Sequence, residues 1–218
     1  MTYQKKNQKS TTMENDQNVY QNDPQITEFY QNHLDDMLNR HSKVFQTRID
    51  LHLPADQSVD ENPKQIRDFT EYLSRDLKRN YPLPKEGRKR SEGHSRQTHS
   101  TDPRVIWARE KHNDSPHSHF HSVVLVNGHS KKSGYDIHQR AIRQWANALG
   151  LEKEKAKPLV HYCNDNGPAT IMIDKNSSDY HDAVQAAKKQ AGYLAKTKGK
   201  ENTPKHHWKA GGTRFKKN

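Results

Sequence analysis

One stretch near the middle of the chain, His119-Phe120-His121-Ser122-Val123-Val124-Leu125-Val126, constrains the fold more than any other. Its unbroken apolar half reads as a buried strand, and the turn residues Asn113-Asp114-Ser115-Pro116 lie just upstream. Side chains two apart on a strand share a face, so His119 and His121 point one way and Phe120 packs behind them. Two imidazoles held on a rigid element make half of a metal site. A His-rich strand entry is the plain alternative in a chain with 15 histidines.

The rest of the chain builds a sheet around that strand. Val44 to Leu53 alternates, with Phe45, Thr47, Ile49, Leu51 and Leu53 on one face and Gln46, Arg48, Asp50 and His52 on the other. Arg104 to Lys111 reads as a strand that returns through the Pro116 turn into the His strand, giving an antiparallel hairpin. Leu159–Cys163 and Ala169–Asp174 read as short strands joined by the Asn164-Asp165-Asn166-Gly167 turn.

Helices separate these strands. Asp23-Pro24 caps a helix to about Arg40, with Ile26, Tyr30, Leu34, Met37 and Leu38 on its stripe. Asn62-Pro63 starts a second, carrying Ile66, Phe69, Leu73 and Leu77, which Tyr81-Pro82-Leu83-Pro84 stops. A third runs from an Asp136 cap, with Gln139 in a capping box, through Ile142, Trp145 and Leu149 to Gly150. Asp179 caps a last helix to about Lys198. The expected fold is α+β: an antiparallel-rich sheet with helices mainly on one face and a polar front left open.

Composition sets the limits of that domain. Apolar residues make up 29% of the 218, which supports one core of roughly 150 residues with unpacked tails. Residues 1–22 and the basic stretch 199–218 read as disordered, 23–198 as the folded domain, and 85–101 as a mobile basic loop. A net charge of +11 points to a polyanion, above all nucleic acid. A single cysteine, Cys163, excludes an internal disulfide framework and fits a reducing, cytoplasmic compartment. No apolar run reaches the roughly 18 residues of a membrane span, so no membrane partner is expected.

The polar front is where chemistry can gather. A third ligand for the His119–His121 pair should come from a neighbouring strand; Glu110 is the economical choice, with Asp50 and His117 as substitutes. Two imidazoles and a carboxylate suit Mg²⁺ or Mn²⁺ and leave positions for a phosphate oxygen. On the last helix, Val184, Ala187, Ala191 and Leu194 form the stripe, and Lys189, Tyr193 and Lys196 an adjoining row. Tyr193 is a candidate nucleophile and Lys196 a candidate charge-balancing partner; a half-buried tyrosine beside a solvated lysine is the structural alternative.

These pieces, Arg48-Ile49-Asp50-Leu51, His119-Phe120-His121 and Tyr193-Leu194-Ala195-Lys196, follow the order of the three motifs of HUH endonucleases. They most resemble the inovirus-type replication proteins, also called the YagK/YfjJ C-terminal domain family, over roughly residues 25–203. The resemblance implies a phage or mobile-element initiator of rolling-circle replication that nicks and joins DNA through a tyrosine–5′-phosphate bond. His119 and His121 would hold the ion, Tyr193 would attack and Lys196 assist. Single-stranded or hairpin origin DNA, and no small molecule, would be the substrate. Arg48, Arg88, Lys89, Arg90, Lys189 and Lys198 are the expected phosphate contacts. The chain has no Walker A loop, so a host helicase would unwind the duplex. A binding module of the same fold and a His-based phosphoesterase without a covalent step are the rival expectations.

Overall fold

The computed structural model describes residues 22–56, 61–79, 99–164, 167–203 and 207–214. The elements follow in the order α1 (Pro24–Arg40), β1 (Lys43–His52), α2 (Pro63–Arg79), β2 (Arg104–Glu110), β3 (His119–Asn127), α3 (Gly134–Leu149), α4 (Lys153–Ala156), β4 (Val160–Tyr162), β5 (Thr170–Asp174), α5 (Tyr180–Ala195) and β6 (Ala210–Gly212). The helix starts are chemically defined. The Asp23 carboxylate accepts from the backbone N–H groups of Gln25 and Ile26, at 2.9 and 3.3 Å. At α2, the Asn62 side chain accepts from Lys64 N (2.8 Å) and the Gln65 side chain accepts from Asn62 N (3.0 Å). For α3 the cap is Ser133 rather than Asp136: its hydroxyl accepts from Asp136 N at 3.2 Å. Gly150, at φ 69°, stops that helix in the left-handed conformation as expected.

The sheet is antiparallel and ordered β4-β1-β3-β2-β6, with β5 also on β1. β1 and β3 pair along nearly their whole length, from Val44 opposite Asn127 to His52 opposite His119. The β2–β3 hairpin sets Glu110 opposite His119. β4 and β5, expected as short strands joined by a turn, do not pair with each other. Both run antiparallel to β1, β4 against Ile49–Leu51 and β5 against Lys43–Thr47, so together they act as one interrupted edge strand.

The fold class is the expected α+β, but the helices form two layers instead of one. On one face α2 and α3 cover Phe45, Ile49, Leu51, Val105, Trp107, Phe120, Val124 and Val126. On the other, α1 and α5 cover Val44, Ile106, Ala108, Val123, Leu125 and Ile173. The reason lies in β3: Val123 to Val126 is apolar on both sides, so each face at that end of the sheet must be buried. Only the other end of the second face, around Asp50, His119 and His121, is polar. A buried Gln46 ties this face together, accepting from the Tyr30 hydroxyl of α1 (2.8 Å) and donating to the Ala187 carbonyl of α5 (3.0 Å).

The expected disordered tail from 199 is also corrected. Residues 210–212 pair with β2, and Gly199 accepts from Lys111 N at 2.9 Å. Gly211 and Gly212 are required there. A Cβ on Gly212 would lie 2.4 Å from the Val105 carbonyl oxygen, and one on Gly211 2.7 Å from the Trp107 ring. The expectations for residues 1–21, the helix stop at 81–84 and the basic segment with Arg88, Lys89 and Arg90 fall outside the described residues. No helix among the described residues is long and apolar enough to cross a membrane.

Candidate metal centre and tyrosine

β1, β2 and β3 present Asp50, Glu110, His119 and His121 on one face, because antiparallel register keeps opposite residues on the same side. His121 sits at the centre. Its Nε2 is 2.9 Å from Glu110 Oε2 and 3.2 Å from His119 Nε2, and its Nδ1 is 2.9 Å from Asp50 Oδ2. His119 Nε2 is 3.9 Å from the same Glu110 oxygen. One ligand atom from each of Glu110, His119 and His121 lies within 4.8 Å of the other two. Such atoms can share one ion at bond lengths of about 2.0–2.3 Å after small rotations. The donor set is two nitrogens and one oxygen, so these three residues could hold a metal ion.

The alternatives for the third ligand separate by position. Asp50 holds the other nitrogen of His121, where it orients the ring rather than shares its ion. His117 lies in the turn before β3 and is outside the group that could share an ion. His119 is stacked against two rings, both nearly parallel to it: His52 at 5.3 Å, which the alternation of β1 places on this face, and His112 at 5.4 Å, which the sequence did not single out. Lys200 is a further addition: it is buried beside Glu110, which it helps keep ionised. A cavity of about 170 Å³, lined in part by His52, His117 and His119, opens alongside.

The electrostatics favour a deprotonated, ligand-ready His119. Burial and the neighbouring His121 push its pKa down to about 4. Burial also lowers His121, but hydrogen bonds from its ring to Asp50 and Glu110 outweigh that and raise it. The carboxylates respond in kind: burial raises both, yet His121 and Arg48 hold Asp50 well below the usual range, and His121 and His119 lower Glu110.

Tyr193 comes from α5 on the same face. Its ring centre is 6.1 Å from that of His121. Arg48 places its guanidinium carbon 3.9 Å from the Tyr193 ring centre, and Lys196 places Nζ at 3.5 Å, so cations bracket the ring. The helix ends at Ala195, short of the expected Lys198. Lys196 is therefore the first residue beyond it, and reaches Tyr193 by folding back rather than along a helical row. Arg48, expected as a phosphate contact, also grips Asp50 with two hydrogen bonds of 2.8 and 3.3 Å. Lys189 and Lys198 are exposed and away from these contacts.

The model of the YagK/YfjJ C-terminal domain family matches residues 5–209. Two proteins of Escherichia coli (strain K12) are similar to the chain. Uncharacterized protein YagK is 25% identical over 178 residues, 75% of this chain and 80% of that protein. Uncharacterized protein YfjJ is 25% identical over 182 residues, 77% and 83% respectively. No solved structure matches the chain significantly.

Proposed function

The chain belongs to the YagK/YfjJ C-terminal domain family, and we propose that it nicks and rejoins single-stranded DNA through a tyrosine–5′-phosphate intermediate, in the manner of HUH endonucleases. The observation that carries this reading is the convergence of Glu110, His119 and His121 with Tyr193 on one face of the sheet. A bound Mg²⁺ or Mn²⁺ ion would supply Lewis-acid polarisation of a phosphate oxygen. Asp50 fixes the ring of His121 through Nδ1, so that Nε2 faces the ligand cluster. Arg48 and Lys196, already against the tyrosine, balance negative charge as it develops on phosphate and phenol.

In the cleavage step the Tyr193 hydroxyl oxygen bonds to phosphorus as the P–O3′ bond breaks. The phenolic proton passes to solvent and the departing oxygen takes one up as a 3′-hydroxyl, free for extension. Reversal reseals the strand. Exposed Lys189 and Lys198 suit the flanking phosphates of a single-stranded or hairpin origin. The setting would be replication of a phage or mobile element in the bacterial cytoplasm, with a host helicase opening the duplex.

The test is a labelled single-stranded origin fragment incubated with the protein and Mn²⁺. A species resistant to SDS and sensitive to protease is expected, lost with EDTA, Tyr193→Phe, His119→Ala or His121→Ala. Cleavage without an adduct would move the chain to the hydrolytic class. A second reading, a DNA-binding module of the same fold, is supported by the direct contacts of Asp50 and Glu110 with the two ring nitrogens of His121, which hold the array together. Tight, EDTA-insensitive binding of origin DNA with neither cleavage nor adduct would establish that binding module instead.

A further inference from the structure

A second donor cluster lies one strand away. β4 pairs with β1 so that His161 stands opposite Asp50, and Cys163 follows two residues later, just past the strand end. A carboxylate oxygen of Asp50, a ring nitrogen of His161 and the Cys163 sulfur lie within 4.8 Å of one another. The Cys163 sulfur is 3.9 Å from His161 Nδ1. Arg48 and His121 both press on Asp50 Oδ2, at 2.8 and 2.9 Å, whereas the Arg48 contact to Oδ1 is longer, at 3.3 Å.

We propose that Asp50, His161 and Cys163 form a second metal site, selective for ions of the Zn²⁺ class. The donor set argues for that class. A thiolate with an imidazole and a carboxylate is soft enough to prefer Zn²⁺ or Co²⁺ over Mg²⁺, whereas the Glu110, His119 and His121 set has no sulfur. Charge closes as well. One thiolate and one carboxylate carry the two negative charges that match a divalent ion. On binding, the S–H bond breaks, its proton goes to solvent and the sulfur electron pair forms the metal bond; no oxidant is needed. Three protein donors leave a fourth position for water or an external ligand, the pattern of an open site. His161 is exposed and Cys163 half-buried, so an ion has a path in from solvent.

This site stands independently of DNA nicking, and its test needs no DNA. The reduced, metal-free full chain is titrated with Co²⁺. Because the chain has a single cysteine, a near-ultraviolet thiolate-to-cobalt band reports Cys163 alone. The band is expected to appear in the wild type, to bleach when Zn²⁺ is added, and to persist in a Glu110→Gln, His119→Ala double variant that removes the other ligand set. Cys163→Ser should abolish it, and His161→Ala should shift the titration to higher Co²⁺. X-ray absorption on the wild type, where a sulfur scatterer at about 2.3 Å is expected, covers the case in which a variant does not fold. Absence of the band in the wild type, or a titration unchanged by His161→Ala, overturns the proposal.

Discussion

Glu61→Ala should damage the fold from outside the sheet, and it links stability to the candidate metal centre. Arg109 points to the face that α2 and α3 cover, where its side chain is 1% exposed. There it is ion-paired with Glu61 and lies over the Phe120 ring, 4.7 Å from its centre. The other Glu61 oxygen accepts from Ser118 N at 3.1 Å, holding the chain one residue before His119. Removing one partner of a buried pair strands a charge, which costs about 3–5 kcal/mol. At about 2–4 °C per kcal/mol for a domain of this size, the thermal midpoint should fall by about 6–20 °C. Replacing both partners, Glu61→Ala with Arg109→Met, should recover most of that loss, because no charge is left unpaired. Urea melts of the two single variants and the double at pH 7 give the coupling energy directly. Glu61→Ala should also weaken Mn²⁺ binding in calorimetry, since Ser118 loses its anchor at the entry to β3. Additive single and double effects, with coupling under about 0.5 kcal/mol, would refute the reasoning.

Asp50→Asn should weaken Mn²⁺ binding by about 10–100-fold with Glu110, His119 and His121 intact, as expected for losing the carboxylate that orients a ligating His; unchanged affinity in a titration would mean that Asp50 does not orient His121 for an ion. His33 is fully buried, and burial with nearby Arg104 pushes its pKa down from 6.5 to about 4. The unfolded chain therefore takes the proton first, so stability is intact above pH 6.5 and lost as pH falls towards 4. At 1.36 kcal/mol per pH unit, the loss between pH 7 and 4.5 should reach about 2–3 kcal/mol; His33→Gln should flatten that slope in urea melts, and an identical slope would be the contrary result. Gly212→Ala should cost about 1–3 kcal/mol through collision with the Val105 carbonyl, measured as a lower urea midpoint; an unchanged midpoint would mean that β6 does not hold to the sheet.

Local chemistry was legible where a pattern repeats along one element. The periodic stripes of α1, α2 and α3 predict what is buried, whereas the alternation of β1 predicts only its apolar face, since Gln46 and Asp50 on the other face are buried as well. What a single element cannot encode is which neighbour covers it. Val123 to Val126 reads as buried, yet only pairing with β1 and β2 shows that both of its faces need a helical layer. The Gly211-Gly212 pair reads as a linker because composition cannot distinguish a glycine needed for freedom from one needed for close approach to Trp107 and Val105. β4 and β5 look like a hairpin because a turn sequence separates them; their pairing is decided instead by the free edge of β1.

The site divides along the same line. His119 and His121 share a face by spacing alone, and Glu110 joins them because a hairpin through Pro116 brings the end of β2 opposite the start of β3. Tyr193 is harder, since its distance to His121 depends on where α5 crosses the sheet. That crossing is held by Gln46, a polar residue on the apolar-covered part of the second face, whose side chain meets α1 and α5 at once. A polar side chain buried there is costly unless its partners are in place, so Gln46 favours the one docking of α5 that satisfies it. The same docking brings Tyr193 under Arg48 and beside His121. A residue remote from the chemistry thus sets the distance on which the proposed chemistry depends.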